Sequence, residues 1–340
     1  MNKELEESYA RYTTRKFGMI FILLASLVIL MIAVIPLGIV SLSLEEVFCI
    51  IFSRGSGHAD VIIWELRLPR VIMAIVCGMG LALSGTVMQS ILHNPLASPF
   101  TLGISSAAFF GGMIGGTLAV AYGVGMGLNI GIAFLFGMLA LSLMYGLSKR
   151  RGMTSETVIL CGICLMYLFL AMASVAGMMG GGMGTSQVIS GFLISSSWES
   201  ASITSIFLII TFFPLMKYTR DLNAMALGDE TAMSVGINVK RTRMMCMTLS
   251  TLIVSSIVCF TGVIGFVCLI SPYIARKVMG NDHRLIFPCS AIIGALLLLG
   301  TDTVARTIVQ PVEIPVGMIT TIVGVPFILY LATKGRKYET

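Results

Sequence analysis

The residue types best suited to chemistry are few and scattered. Cys161 and Cys164 form a C-x-x-C pair, a spacing used for thiol exchange or for half of a zinc site. No second cysteine pair or neighbouring histidine completes four zinc ligands. On an apolar helix face such cysteines pack as small hydrophobes, and that is the expected role. His58, His93 and His283 fall in separate connections between apolar runs, so no metal site is expected from them. Asp302 and Arg306 stand four residues apart near the end of an apolar run and can pair with each other. Arg67 and Arg70 flank Leu68-Pro69 just before another run. Two readings stand for them: charged heads reaching water from the edge of a bilayer, or a basic patch that receives acidic side chains of a partner. There is no G-x-x-x-x-G-K-[ST] loop to cradle phosphates, and the nearest hit, Lys334-Gly335, lacks the pattern. Neither G-x-S-x-G nor H-E-x-x-H is present. The chain is therefore expected to be no enzyme and to hold no metal, ATP or other cofactor itself.

The elements that must position these residues are long and apolar. Of 340 residues, 56% are hydrophobic and 11% charged, against about 25% charged in a soluble domain. The mean hydropathy is +0.96. Too little polar sequence exists to cover that apolar surface in water, so lipid is the expected solvent. A net charge of +6 is read as the basic bias of membrane loops rather than as a nucleic-acid surface. Spans are expected near 17–40, 71–92, 101–121, 127–148, 156–179, 201–218, 244–264, 265–280, 286–308 and 314–333, an all-α polytopic membrane protein of about ten transmembrane helices. Residues 1–16 are expected as a cytoplasmic tail, 17–333 as a single transmembrane domain and 334–340 as a second cytoplasmic tail. The run at 17–40 is too long for a signal-peptide core and is read as a true first helix.

Ten spans put both termini on one side. With the N-terminus cytoplasmic, 18 of the 22 Lys and Arg fall inside and four, Arg54, Arg67, Arg70 and Arg306, outside. That bias fixes the expected orientation in the cell (inner) membrane. Small residues such as Gly111, Gly112, Gly115 and Gly116 allow close helix approach in lipid. The glycine-rich run 177–184 is either a flexible turn or a small-residue lining for a bulky solute. Ser84-Gly85 with Pro95, and Thr261-Gly262 with Pro272, form a faint echo of the kind left by inverted repeats. One polar segment, 219–243, is long for a connection and reads as functional rather than as a passive linker. Leu222, Met225, Ala226 and Leu227 make an apolar helical face with Gly228 as its stop, and Thr231 to Val235 a second short helix ending at Gly236. This segment is expected to dock a cytoplasmic partner.

Several separated motifs resemble one family. The stretch LRLPRVIMAIVCGMGLALSGTVMQSILHNPLASPFTLGISSAA (66–108) is similar to the signature of the FecCD-type permeases of iron-siderophore, haem and cobalamin ABC importers. The likeness continues through LNAMALGDETAMSVGINVKRTR (222–243), GVIGFVCLISPYIARKVMGNDHR (262–284), TDTVAR (301–306) and EIPVGMITTIVGVPFILYL (313–331). The resemblance implies the type II ABC importer permease fold and a homodimer with the path between subunits. It also implies two cytoplasmic ATP-binding subunits, which bind ATP and Mg, and an extracytoplasmic substrate-binding protein. It places Leu222, Ala226, Leu227, Gly228, Asp229 and Glu230 in the ATPase-docking loop. Arg67, Arg70 and Arg306 become binding-protein contacts, and Gln89, Asn94, Leu96, Thr154 and Ser155 line the pathway or inner gate. Tyr273 stands where the family has His, Cys268-Leu269 replaces Gly-Leu, and the motif before the sixth span is altered at Val188. The cargo therefore stays open among ferric siderophore, haem and cobalamin, with an oxyanion such as molybdate as an alternative. An ATP-independent secondary carrier is the competing class, disfavoured because the spans hold almost no coupling charge.

Overall fold

A computed structural model describes residues 3–38, 40, 42–52, 57–123, 126–149, 155–179, 191, 193, 196–310 and 312–334. Helix α1 (Lys3–Val34) is followed by α2 (Leu44–Phe52) and α3 (His58–Val61). A π-helical stretch (Ile62–Arg67) then leads without a break into α4 (Leu68–Ile91). The remaining helices are α5 (Ile104–Tyr122), α6 (Met126–Lys149), α7 (Ser155–Met179), α8 (Trp198–Lys217), α9 (Thr219–Met225), α10 (Asp229–Ser234), α11 (Val239–Thr261), α12 (Val267–Met279), α13 (His283–Thr307) and α14 (Val316–Lys334). All ten expected spans appear as helices. Among the described residues eight are long and apolar enough to cross a membrane, with a shorter apolar helix over Val316–Tyr330. Residues 3–16 are helical and continuous with the first span.

The expected eighth span, 265–280, forms a helix two residues shorter at its start and one at its end. Helix α12 has 13 residues, about 20 Å at 1.5 Å per residue, against a hydrocarbon core of about 30 Å. Residues 262–265 are not helical, and both Gly262 (φ 70°) and Phe266 (φ 67°) are left-handed. Phe266 is a costly residue for that conformation. Its ring takes the space that a side chain at position 324 would occupy: a Cβ on Gly324 would lie 2.3 Å from the ring. The echo between 84–95 and 261–272 does not survive in three dimensions. Gly85 lies inside α4, whereas Gly262 follows the end of α11, and Pro95 is in a turn while Pro272 is inside α12.

Helix α4 is the axis of the fold. It starts with Pro69 in the first turn, where a missing N–H costs nothing, and most of its side chains are buried. It packs on α8, α11, α12 and α13. Two approaches require glycine. A Cβ on Gly78 would lie 2.3 Å from the Gly294 carbonyl oxygen of α13, and one on Gly85 would lie 1.8 Å from the Cys268 carbonyl oxygen of α12. Close backbone contact of this kind substitutes in lipid for the water exclusion that drives packing elsewhere. Helices α1, α6, α7 and α8 turn large apolar side chains outward, among them Phe21, Leu135, Leu160 and Phe213. In water this would be a liability; it is what a lipid-facing surface requires.

Candidate functional site

Two polar clusters lie at opposite ends of α4. At its start, the three arginines singled out in the sequence converge, and each is buried against a partner within the chain. Arg67 is 6% exposed and donates to the carbonyls of Ile35 (2.7 Å), Pro36 (2.9 Å) and Val40. Arg306, also 6% exposed, donates to Val34 (3.0 Å) and Leu37 (3.1 Å). Arg70 grips the fully buried Asp302 through Nε (3.0 Å) and Nη2 (2.8 Å), and its Nη1 donates to Glu313 at 2.8 Å. The pairing expected between Asp302 and Arg306 is present at 3.8 Å, and the planar fork of Arg70 takes the same carboxylate at closer range. At the same end Trp198 Nε1 donates to the Trp64 carbonyl at 2.7 Å. In this structure the three arginines are held by Asp302, Glu313 and main-chain carbonyls of the chain itself.

At the other end, α9 and α10 form the segment between α8 and α11. Leu222 and Met225 are fully buried, so Leu222 anchors α9 instead of presenting a surface. Ala226 is exposed, Leu227 is 75% exposed, and Met233 and Val235 also face outward. Gly228 adopts φ 114°, which only glycine does without strain. It turns the chain into α10, which begins at Asp229 and Glu230, two residues before the expected start. Asp229 accepts from Arg243 at 2.8 Å. A cavity of about 450 Å³ opens beside this pair, walled by Met138, Leu141 and Tyr145 of α6 and Met244 and Met247 of α11.

Between the loop and α4 runs a hydrogen-bonded network that sequence reading missed. Asn223 of α9 donates to Asp282 (2.8 Å) and accepts from the main chain (2.8 Å) and Nδ1 (2.6 Å) of His283. His283 Nε2 meets Ser90 Oγ at 2.6 Å. Arg276 reaches Ser90 (3.4 Å) and donates to Gln89, whose amide lies 3.5 Å from the Cys268 carbonyl. Gln89, placed in the pathway by resemblance, is thus buried and committed. Burial alone pushes the Asp282 carboxyl up. The hydrogen bonds from Asn223 and the Arg284 main chain, with the charge of Arg284, hold it below its ordinary value. Asn94 shapes a turn, its Oδ1 accepting from Leu96 N at 2.8 Å, and Leu96 is half exposed. Thr154 lies outside the described residues, as does most of the run 177–184 and Val188; Ser155 opens α7, its side chain not described. All eight cysteines are free. No group of three or more His, Cys, Asp or Glu side chains gathers in metal-binding geometry among the described residues.

The sequence pattern of the FecCD transport family matches residues 24–334. The chain belongs to the FecCD transport family. Its relatives include the hemin transport system permease HmuU of Yersinia pestis, 34% identical over 330 residues, 95% of this chain and 97% of that protein. The cobalamin import system permease BtuC of Halobacterium salinarum is 33% identical over 276 residues, 80% of this chain and 73% of that protein. A solved inward-facing metal-chelate type ABC transporter has the same fold, with a TM-score of 0.78 at 28% identity over 94% of this chain and 99% of that one. This FecCD chain is a multi-pass membrane protein, and its relatives are permease components of ABC importers.

Proposed function

We propose that the chain is the membrane-spanning permease subunit of a binding-protein-dependent ABC importer. It carries a metal chelate (a ferric siderophore, haem or cobalamin) into the cytoplasm using ATP hydrolysed, with Mg, on partner subunits. The observation that carries this reading is the loop. A family member across residues 24–334 presents Leu227, Met233 and Val235 to solvent from a segment whose other face, Leu222 and Met225, is locked into the core. A rigid apolar ledge flanked by Asp229 and Glu230 is a docking surface for a second protein. The 18-to-4 distribution of basic residues supports a cytoplasmic loop and cytoplasmic termini. Two copies of the chain form the path, with Asn94 and Leu96 at its inner mouth. An external binding protein engages the arginine end, where acidic side chains of that protein exchange with the carbonyls and carboxylates that now hold Arg67, Arg70 and Arg306.

The test is co-purification of the chain with a co-expressed ABC ATPase subunit, followed by uptake in proteoliposomes. Leu227→Asp and Gly228→Arg with Asp229→Arg are expected to abolish ATPase capture while membrane insertion stays normal. Normal assembly of these variants, or uptake without any ATPase, overturns the proposal.

A further inference from the structure

We infer that Asn223, through His283 and Ser90, is the positioning link that carries movement of the loop into the membrane helices. The inference rests on the proposed function and names the residues by which the loop acts.

A helix of seven residues has no stability of its own, so α9 sits where its contacts put it. The contacts of Asn223 are unusually complete. Its Oδ1 takes the main-chain N–H of His283, one of the donors that a helix start leaves without a partner. Its Nδ2 donates to Asp282, which itself caps α13 by accepting from Arg284 N at 3.0 Å. Asn223 therefore caps α13 from a separate element 60 residues away in sequence. Because Oδ1 can only accept, His283 Nδ1 must carry the proton it shares with Asn223. In the neutral ring Nε2 is an acceptor, and the single Ser90 hydroxyl proton is shared between it and the Thr86 carbonyl at 2.7 Å. From Ser90 the chain continues through Arg276 and Gln89 to the start of α12. It crosses α9, α13, α4 and α12, and Ser90, His283 and Gln89 are all buried.

Geometry of this kind transmits displacement. In a dry interior a broken hydrogen bond is not replaced by water, so a shift of α9 is followed by His283 and Ser90. A second tie acts in parallel: His93, held left-handed at φ 48°, donates Nε2–H to the Met225 carbonyl at 2.7 Å. Strain of this kind persists only where surrounding contacts impose it. The second half of the loop has no such fastening. Its polar tie is the partly exposed Asp229–Arg243 pair, and it borders the cavity.

The experiment measures ATP hydrolysis and cargo uptake together in proteoliposomes of the permease with its ATPase and binding protein. Asn223→Leu keeps the branching of the side chain at Cγ and removes all three hydrogen bonds. Ser90→Ala interrupts the same chain from α4 without touching the loop. Each is expected to lower cargo moved per ATP hydrolysed by about tenfold, with the double variant no worse than the stronger single one, as for residues acting in series. A merely structural role lowers both rates together and leaves their ratio intact, which overturns the inference, as does an unchanged ratio. If Asn223→Leu does not fold, Ser90→Ala carries the same test alone. A wild-type chain that captures no ATPase defeats the proposed function and this inference with it; ATPase capture with an intact ratio in the variants defeats only the inference.

Discussion

The two ends of α4 solve opposite problems with similar residues. At the arginine end the three arginines turn inward: Arg67 and Arg306 bind main-chain carbonyls, and Arg70 binds Asp302 and Glu313. At the loop end the polar groups also turn inward, onto Asn223 and His283, but apolar side chains turn out, Leu227 most of all. One end holds its arginines within the chain and the other exposes an apolar ledge. The contrast teaches that charge in a sequence marks an ending of the membrane-embedded structure, while burial decides whether that charge is a surface or a clamp.

The largest effect expected from breaking this contrast is at Asp302. Removing a fully buried carboxylate as Asp302→Ala leaves Arg70 and Arg306 without it. A loss of about 3–5 kcal/mol is expected, seen as a lower unfolding temperature in detergent. The matching change at the other end, Asp229→Ala, breaks a partly exposed pair and should cost under about 1 kcal/mol; equal losses would erase the distinction. Next comes Gly228→Ala, where φ 114° makes any side chain cost about 1–3 kcal/mol, measured by the same melting curve. Leu227→Asp is expected to change stability by less than about 0.5 kcal/mol while ATPase capture is lost, which separates surface from scaffold.

The smallest effect is on acidification. The folded Asp282 carboxyl titrates below its ordinary value, so its contribution is complete above the unfolded pKa of about 4. It is lost as pH falls through the lower folded value. Asn223→Leu should narrow that acid loss, which stability measured across pH would register.

Much of this was legible in sequence because long apolar runs leave few alternatives. The helices at 71–92, 101–121 and 286–308 stand close to where hydropathy put them. The docking segment 219–243 was legible from its length and polarity. What escaped notice depends on pairing across distance. Nothing local to Asn223 or His283 announces a contact between them, and the partners of Arg70 lie 232 and 243 residues away. Hydropathy carries the seventh span through Gly262, Val263 and Ile264 because they are as apolar as the helix they follow, and it does not register a left-handed Gly262 or Phe266. That Leu222 and Met225 form the inner side of the apolar face and Leu227 the outer was not legible, because a seven-residue helix offers too few positions to tell one from the other.

The latch at the arginine end also orders events in time. A ribosome delivers Val34 and Leu37 long before Arg306, which bonds them across 272 and 269 residues. Arg67 emerges soon enough to fold the 35–40 turn around itself. The outermost helix can therefore enter the bilayer early, yet its final seat against α13 is completed only when the last fifth of the polypeptide has been made.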